Sequence, residues 1–164
     1  MVDAFVALGS NVGDRRGNLR KALDALGERN SILKVSSFYE TEPMYIEAQP
    51  WFLNCVAKIR TELTPESLFG LVKSIERKMG RNPVNGQQRY GPRVIDIDIL
   101  FYGDLMIYTN ELEIPHPRIQ ERLFVLVPLV EIEPELVHPK LNRSVSHLLK
   151  ELHSEKRIMK LKNP

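Results

Sequence analysis

Between Val94 and Leu100 the chain alternates isoleucine with aspartate, and that alternation constrains the fold more than any other stretch. On an extended backbone Ile95, Ile97 and Ile99 fall on one face, while Asp96 and Asp98 fall on the other. The apolar face needs a core to cover it, so the segment reads as a strand of a sheet with other elements packed on it. Two like charges side by side on a strand are unfavourable unless something positive lies between them. A divalent cation does this well, and hard carboxylate oxygens suit Mg²⁺. The same segment begins Arg89-Tyr90-Gly91-Pro92-Arg93, and guanidiniums make paired hydrogen bonds to phosphate. An Asp-x-Asp alone would read as a solvated acidic face. With two arginines beside it, the segment reads as a metal–phosphate site.

The rest of the chain reads as one α+β domain over residues 1–164, with about 154–164 as a frayed basic tail. Val2 to Leu8 predicts a first strand, closed by the turn residues Gly9 to Asp14. Leu19, Ala22, Leu23 and Leu26 then fall on one helical stripe that ends at Gly27. Ile32 to Tyr39 predicts a second strand, Glu40 to Pro50 a loop, and Phe52 to Arg60 a third strand. Thr64-Pro65 opens a second helix with a capping hydroxyl and a first-turn proline. Its stripe is Leu68, Leu71, Val72, Ile75 and Met79, up to the stop at Gly80. After the polar segment Arg81 to Gln88 comes the Asp-x-Asp strand, and Gly103-Asp104 predicts a hairpin into Leu105 to Tyr108. A third helix is predicted from about Arg118 to Leu126, and a closing one around Val145 to Leu152. The order β-α-β-β-α-β is that of a ferredoxin-like sandwich with a mainly antiparallel sheet, followed by extra C-terminal elements.

Composition narrows the partners. A net charge of +2 over 164 residues argues against nucleic acid as a bulk electrostatic partner. The single cysteine, Cys55, excludes a disulfide framework or a cysteine-based zinc site and fits a reducing, cytoplasmic setting. Neither a membrane-length apolar run nor a basic lead-in to the apolar start is present. The expectation is therefore a cytoplasmic monomer acting on small molecules.

Several residues suit such a role. Arg81, Arg89 and Arg93 flank one loop and together suit a polyphosphate. Phe52 and Asn54 share a strand face, offering a stacking surface and an amide with donors and an acceptor. Phe124 lies off its helix stripe and offers a second aromatic face. His116, held between Pro115 and Pro117, can donate to a phosphate or a ribose. Gly9 to Gly13 fits neither a P-loop nor a dinucleotide fingerprint, and reads as a strand-to-helix turn.

Taken in order, these segments resemble the 6-hydroxymethyl-7,8-dihydropterin pyrophosphokinases of folate biosynthesis over nearly the whole chain. The similarity is carried by Ala7-Leu8-Gly9-Ser10-Asn11, Ser36-Ser37-Phe38-Tyr39-Glu40-Thr41, Pro50-Trp51-Phe52-Leu53-Asn54 and Gly80-Arg81. It continues through Arg89-x-Gly91-Pro92-Arg93-x-x-Asp96-Ile97-Asp98-Ile99, Ile114-Pro115-His116-Pro117, Arg122-x-Phe124-Val125-Leu126 and Pro128-Leu129. The resemblance implies transfer of the pyrophosphoryl group of ATP to the hydroxymethyl oxygen of the pterin, with release of AMP. It implies two Mg²⁺ ions on Asp96 and Asp98, with Arg81 and Arg93 acting on the phosphates. Glu76, Arg89, Tyr90, Ile99, His116 and Arg122 are implied on the nucleotide side, and Thr41, Pro43, Met44, Phe52, Asn54 and Phe124 on the pterin side. Three positions depart from the family pattern: Lys73 where relatives can have Gln, Tyr90 where they have Trp, and Phe52 where some have Tyr.

Two other classes remain to be separated from this one. Ferredoxin-like sheets also serve as non-catalytic RNA- or ligand-binding modules, but the aromatic RNP pattern is absent. Another Asp-x-Asp metal-dependent transferase would lack the Arg-x-Gly-Pro-Arg lead-in. The loops Val12 to Arg16, Glu40 to Trp51 and Arg81 to Tyr90 border the expected site and are expected to close over substrates, excluding water.

Overall fold

The computed structural model describes residues 1–44, 48–80 and 92–161. Strand β1 (Val2–Ser10) sits between β4 (Phe52–Thr61) and β5 (Asp96–Tyr102), antiparallel to both. β4 pairs along its other edge with β2 (Ser31–Val35) near one end and β3 (Tyr39–Thr41) near the other. The predicted Ile32–Tyr39 strand is thus two strands, parted at Ser36, which turns inward: its N–H donates to Val56 O and its Oγ accepts from Val56 N–H. With β2 and β3 sharing one place, the strands stand in ferredoxin-like order, all pairs antiparallel.

Helices α1 (Arg15–Gly27) and α2 (Pro65–Lys78) cover one sheet face. Asp14 caps α1 by accepting from Gly17 N–H at 3.1 Å, and Thr64 caps α2 by accepting from Ser67 N–H at 3.1 Å. Their stripes bury Leu19, Leu26, Leu68 and Val72 on Val6, Leu8, Cys55, Ala57, Ile97 and Ile99. Cys55 is fully buried in this core, and burial raises its thiol pKa, so it behaves as an apolar group.

Among the described residues, the opposite face is covered at one end only. The third helix begins later than its sequence stripe predicts: a 3-10 turn, Ile119–Glu121, leads into α3 (Leu123–Ile132). α3 and the short α4 (Val145–Glu151) bury Phe5, Val56, Leu100 and Phe101 in a second core. Past Val56 and Leu100 this face changes character, with Asn54 on β4 and Asp98 and Asp96 on β5. The sheet therefore has one end filled by helices and one end lined with polar groups.

Two further expectations change, and one element is new. Leu105 to Tyr108 does not fold back on β5; its β6 (Ile107–Tyr108) pairs with β7 (Glu113–Ile114), after which the chain reaches His116 through a cis Ile114–Pro115 bond. A small hairpin, β8 (Val137–His138) with β9 (Arg143–Ser144), joins α3 to α4. The tail is not frayed at 158–160: β10 (Ile158–Lys160) extends the sheet beyond β3. Pairing Ile158 with Thr41 and Lys160 with Tyr39 satisfies an edge that would otherwise stand open.

Candidate active site

A cavity of about 300 Å³ lies at the polar end of the sheet. Its floor follows from strand register. Gly9 of β1 stands opposite Asn54 on one side and Asp96 on the other, and Ala7 stands between Val56 and Asp98. With almost no side chain in the middle strand, groups on β4 and β5 face one space. A Cβ at Gly9 would lie 2.5 Å from Asn54 Oδ1 and 3.5 Å from the Phe52 ring, so that glycine is required for the amide to lie over β1.

At the β4 end, Phe52, Asn54, Thr41 and Met44 line the cavity, with Phe124 reaching it from the first turn of α3. Asn54 is 7% exposed and its Nδ2 donates to Thr41 Oγ1 at 2.6 Å, which fixes the amide plane. Its Oδ1 and remaining amide proton are oriented by that bond.

At the β5 end stand Asp96, Asp98, Arg93, Arg122 and His116. Burial, together with the charges of Asp96 and Glu76, holds the Asp98 carboxyl above the ordinary carboxylate range, against the pull of Arg122 and Lys73. Arg122 Nη1 lies 3.8 Å from Asp98 Oδ2, and its guanidinium sits 5.6 Å from the centre of the Phe124 ring. The His116 N–H donates to Leu100 O at 3.0 Å, and its Nδ1 accepts from Arg118 N–H at 3.2 Å. Nε2 is therefore the protonated nitrogen. Burial and the nearby charges of Arg122 and Arg118 lower the His116 pKa to about 4, outweighing Asp96, so the imidazole is a neutral donor.

The carboxylate pair fits a hard cation. Among the described residues no group of three or more His, Cys, Asp or Glu side chains is placed to hold a metal, so protein oxygens would fill only part of its coordination sphere. That suits Mg²⁺, which keeps waters and takes phosphate oxygens alongside one or two carboxylates.

Not every expected residue lines this space. Ile99 is on the other face of β5, buried under α1 and α2, because the pleat that brings Asp98 inward turns its neighbour outward. Glu76 is 2% exposed on α2 and also lies behind β5. Its Oε2 accepts from Ile97 N–H at 2.9 Å and its Oε1 accepts from Lys73 Nζ at 3.1 Å. It holds the backbone between the two aspartates instead of facing the cavity. Pro43 is buried and does not line the cavity either. Arg81, Arg89 and Tyr90 lie outside the described residues.

Other residues emerge from the structure alone. Asn11, 2% exposed, ties three segments together: its Nδ2 donates to Gln49 Oε1 and Pro50 O, its Oδ1 accepts from Arg93 N–H at 2.7 Å, and its N–H donates to Arg93 O. Read as a turn residue, Asn11 gives no sign of these distant partners. Lys73, Glu42 and Gln49 also line the cavity. Of these, only Lys73 carried a sequence signal, as a departure from the family pattern.

Known proteins share both sequence and fold with this chain. Residues 5–134 match the family model described as 7,8-dihydro-6-hydroxymethylpterin-pyrophosphokinase. The chain is 43% identical over 139 residues to the 2-amino-4-hydroxy-6-hydroxymethyldihydropteridine pyrophosphokinase of Aquifex aeolicus, covering 85% of each. It is 42% identical over 144 residues to the folic acid synthesis protein FOL1 of Dictyostelium discoideum, covering 88% of this chain and 22% of that one. The chain thus spans about a fifth of the length of that larger relative. In fold it is similar to Plasmodium falciparum HPPK-DHPS, with a TM-score of 0.72 at 18% identity, over 92% of this chain and 44% of the other.

Proposed function

The chain belongs to the 7,8-dihydro-6-hydroxymethylpterin-pyrophosphokinase family, and on that footing we propose that it transfers the pyrophosphoryl group of ATP to the hydroxymethyl oxygen of 6-hydroxymethyl-7,8-dihydropterin, releasing AMP. The observation that carries the reading is the row Asn54–Gly9–Asp96. An aromatic–amide pocket on β4 and a carboxylate pair on β5 flank β1 in one cavity, which supports a meeting of an acceptor and a polyphosphate there.

In this reading the heterocycle lies between Phe52 and Phe124, and the Asn54 amide reads its polar edge, with Thr41 and Met44 beside it. Asp96 and Asp98 hold Mg²⁺, two ions on the family pattern. When bound, the metal polarises the phosphates and neutralises the charge that develops on them. Arg93, tied down by Asn11, and Arg122, stacked near Phe124, supply fixed positive charge to phosphate oxygens. Arg81, Arg89 and Tyr90 are proposed as further phosphate and nucleotide contacts. His116 offers a neutral Nε2–H to the nucleotide. Lys73, held by Glu76, brings one more cation to the cavity wall. The enzyme so described works as a cytoplasmic monomer on two small molecules.

Incubation with ATP, Mg²⁺ and the hydroxymethyldihydropterin should yield AMP and the pterin diphosphate; ADP, or no turnover, overturns the proposal. Asp96→Ala and Asp98→Ala should each lower kcat by about 100-fold or more, since metal stabilisation of transition-state charge is worth several kcal/mol. Both variants should remain folded by circular dichroism. Mg²⁺-dependent turnover retained in both would refute the metal assignment.

A further inference from the structure

The segment that carries Glu42, Met44 and Gln49 to the cavity leaves the sheet at Thr41 and returns at Phe52. One residue of the C-terminal strand region touches both of its ends. Arg157 N–H donates to Glu42 Oε1 at 2.5 Å, Arg157 Nε donates to the same oxygen at 3.2 Å, and Glu42 N–H donates to Arg157 O at 3.2 Å. The same guanidinium lies 4.8 Å from the centre of the Trp51 ring. Arg15 completes the clamp from α1, donating to Trp51 O at 3.0 Å and pairing with Glu40 at 3.5 Å.

We propose that Arg157 is a positioning residue: by stapling Glu42 to Trp51 across the mouth of this segment, it sets how tightly the heterocycle end of the cavity holds its ligand. This rests on the reading that the pterin binds there. Residues 157–161 lie beyond the part of the chain matched by the family model. An exposed ion pair alone would hold little, and the Arg157 side chain is 74% exposed. Three features add to it: a ring stacked under the guanidinium, two backbone hydrogen bonds, and the β10–β3 ladder that delivers Arg157 in register. Closing the two ends of a loop at its base also removes conformations that a ligand would otherwise have to freeze out.

Trp51 is the only tryptophan of the chain, so the staple has a readout that needs no substrate. In the free protein, Arg157→Ala should raise acrylamide quenching of Trp51 fluorescence and speed amide exchange over 48–51. In turnover it should raise KM for the pterin about fivefold, the scale of one exposed ion pair plus one cation–π contact. KM for ATP and kcat should stay within about twofold. Arg157→Lys, which keeps the charge over the ring, should restore most of the loss, and a chain ending at Lys156 should show the larger effect. Unchanged quenching and exchange in Arg157→Ala would overturn the staple whatever the substrate is. Faster exchange with an unchanged pterin KM would overturn its link to the site. Failure of the wild type to turn over pterin would instead count against the functional reading, leaving the fluorescence result to stand by itself.

Discussion

Replacing Gly9 by alanine is the smallest change that should uncouple the two ends of the cavity. The new Cβ would stand 2.5 Å from Asn54 Oδ1, where a carbon–oxygen contact normally needs about 3.4 Å. The oxygen must therefore retreat by roughly 1 Å, and Asn54 has little room, being 7% exposed and bonded to Thr41 at 2.6 Å. Loss of that bond leaves a buried amide and hydroxyl short of partners in a crowded site, so unfolding free energy should fall by about 1–3 kcal/mol. Recognition should suffer as well. An amide turned out of plane loses one or two hydrogen bonds to the heterocycle, and KM for the pterin should rise about 10- to 100-fold. The three atoms nearest the added methyl all belong to Asn54 and Phe52, so KM for ATP should stay within about twofold. Steady-state kinetics with each substrate varied in turn, alongside thermal melting, checks this. A variant that kept its pterin KM and lost ATP affinity instead would refute the assignment of the two ends.

Two further expectations concern the supports of the carboxylate end. Glu76→Ala leaves the buried Ile97 N–H without its acceptor and should lower unfolding free energy by about 2–4 kcal/mol in urea, whereas Glu76→Gln, which keeps an acceptor, should cost less; a loss under about 0.5 kcal/mol in the alanine variant would contradict the role given to Glu76. His116 should stay neutral from pH 8 to pH 5, so its imidazole NMR signals should be flat over that range. Because its native pKa, about 4, lies below the unfolded value of 6.5, the unfolded chain binds the extra proton between these values and stability falls as pH drops through that window. His116→Gln should flatten that part of the stability profile, and an imidazole titrating near pH 6.5 would refute the buried environment.

Much of this architecture was legible because it rests on local periodicity. The Ile/Asp alternation placed Asp96 and Asp98 on one face, and the stripe from Leu68 to Met79 located α2 by its buried side. What escaped depends on contacts distant in sequence. Glu76 fell on the helical face that the stripe marks as buried, yet only its bond to Ile97, 21 residues away, shows that it braces β5 from behind the cavity. Ile99 follows the same logic, since the pleat that brings Asp98 inward turns it away. Ile158 to Lys160 carries no pattern of its own, and an edge strand of three residues is specified by its neighbour, β3. Arg122 and Phe124 begin α3 where a stripe alone starts the helix too early, because the preceding turn is 3-10.

The row Asn54–Gly9–Asp96 also works as a ruler. Adjacent strands are held about 4.8 Å apart by their hydrogen bonds, so the amide-bearing and carboxylate-bearing backbones lie two spacings, about 10 Å, from each other. That separation is set by main-chain geometry, and side-chain substitution can tilt or fill the gap without changing its length. A single compound that seats a flat heterocycle at one end and a polyphosphate at the other has to bridge this interval, and its connecting chain should be matched to two strand spacings.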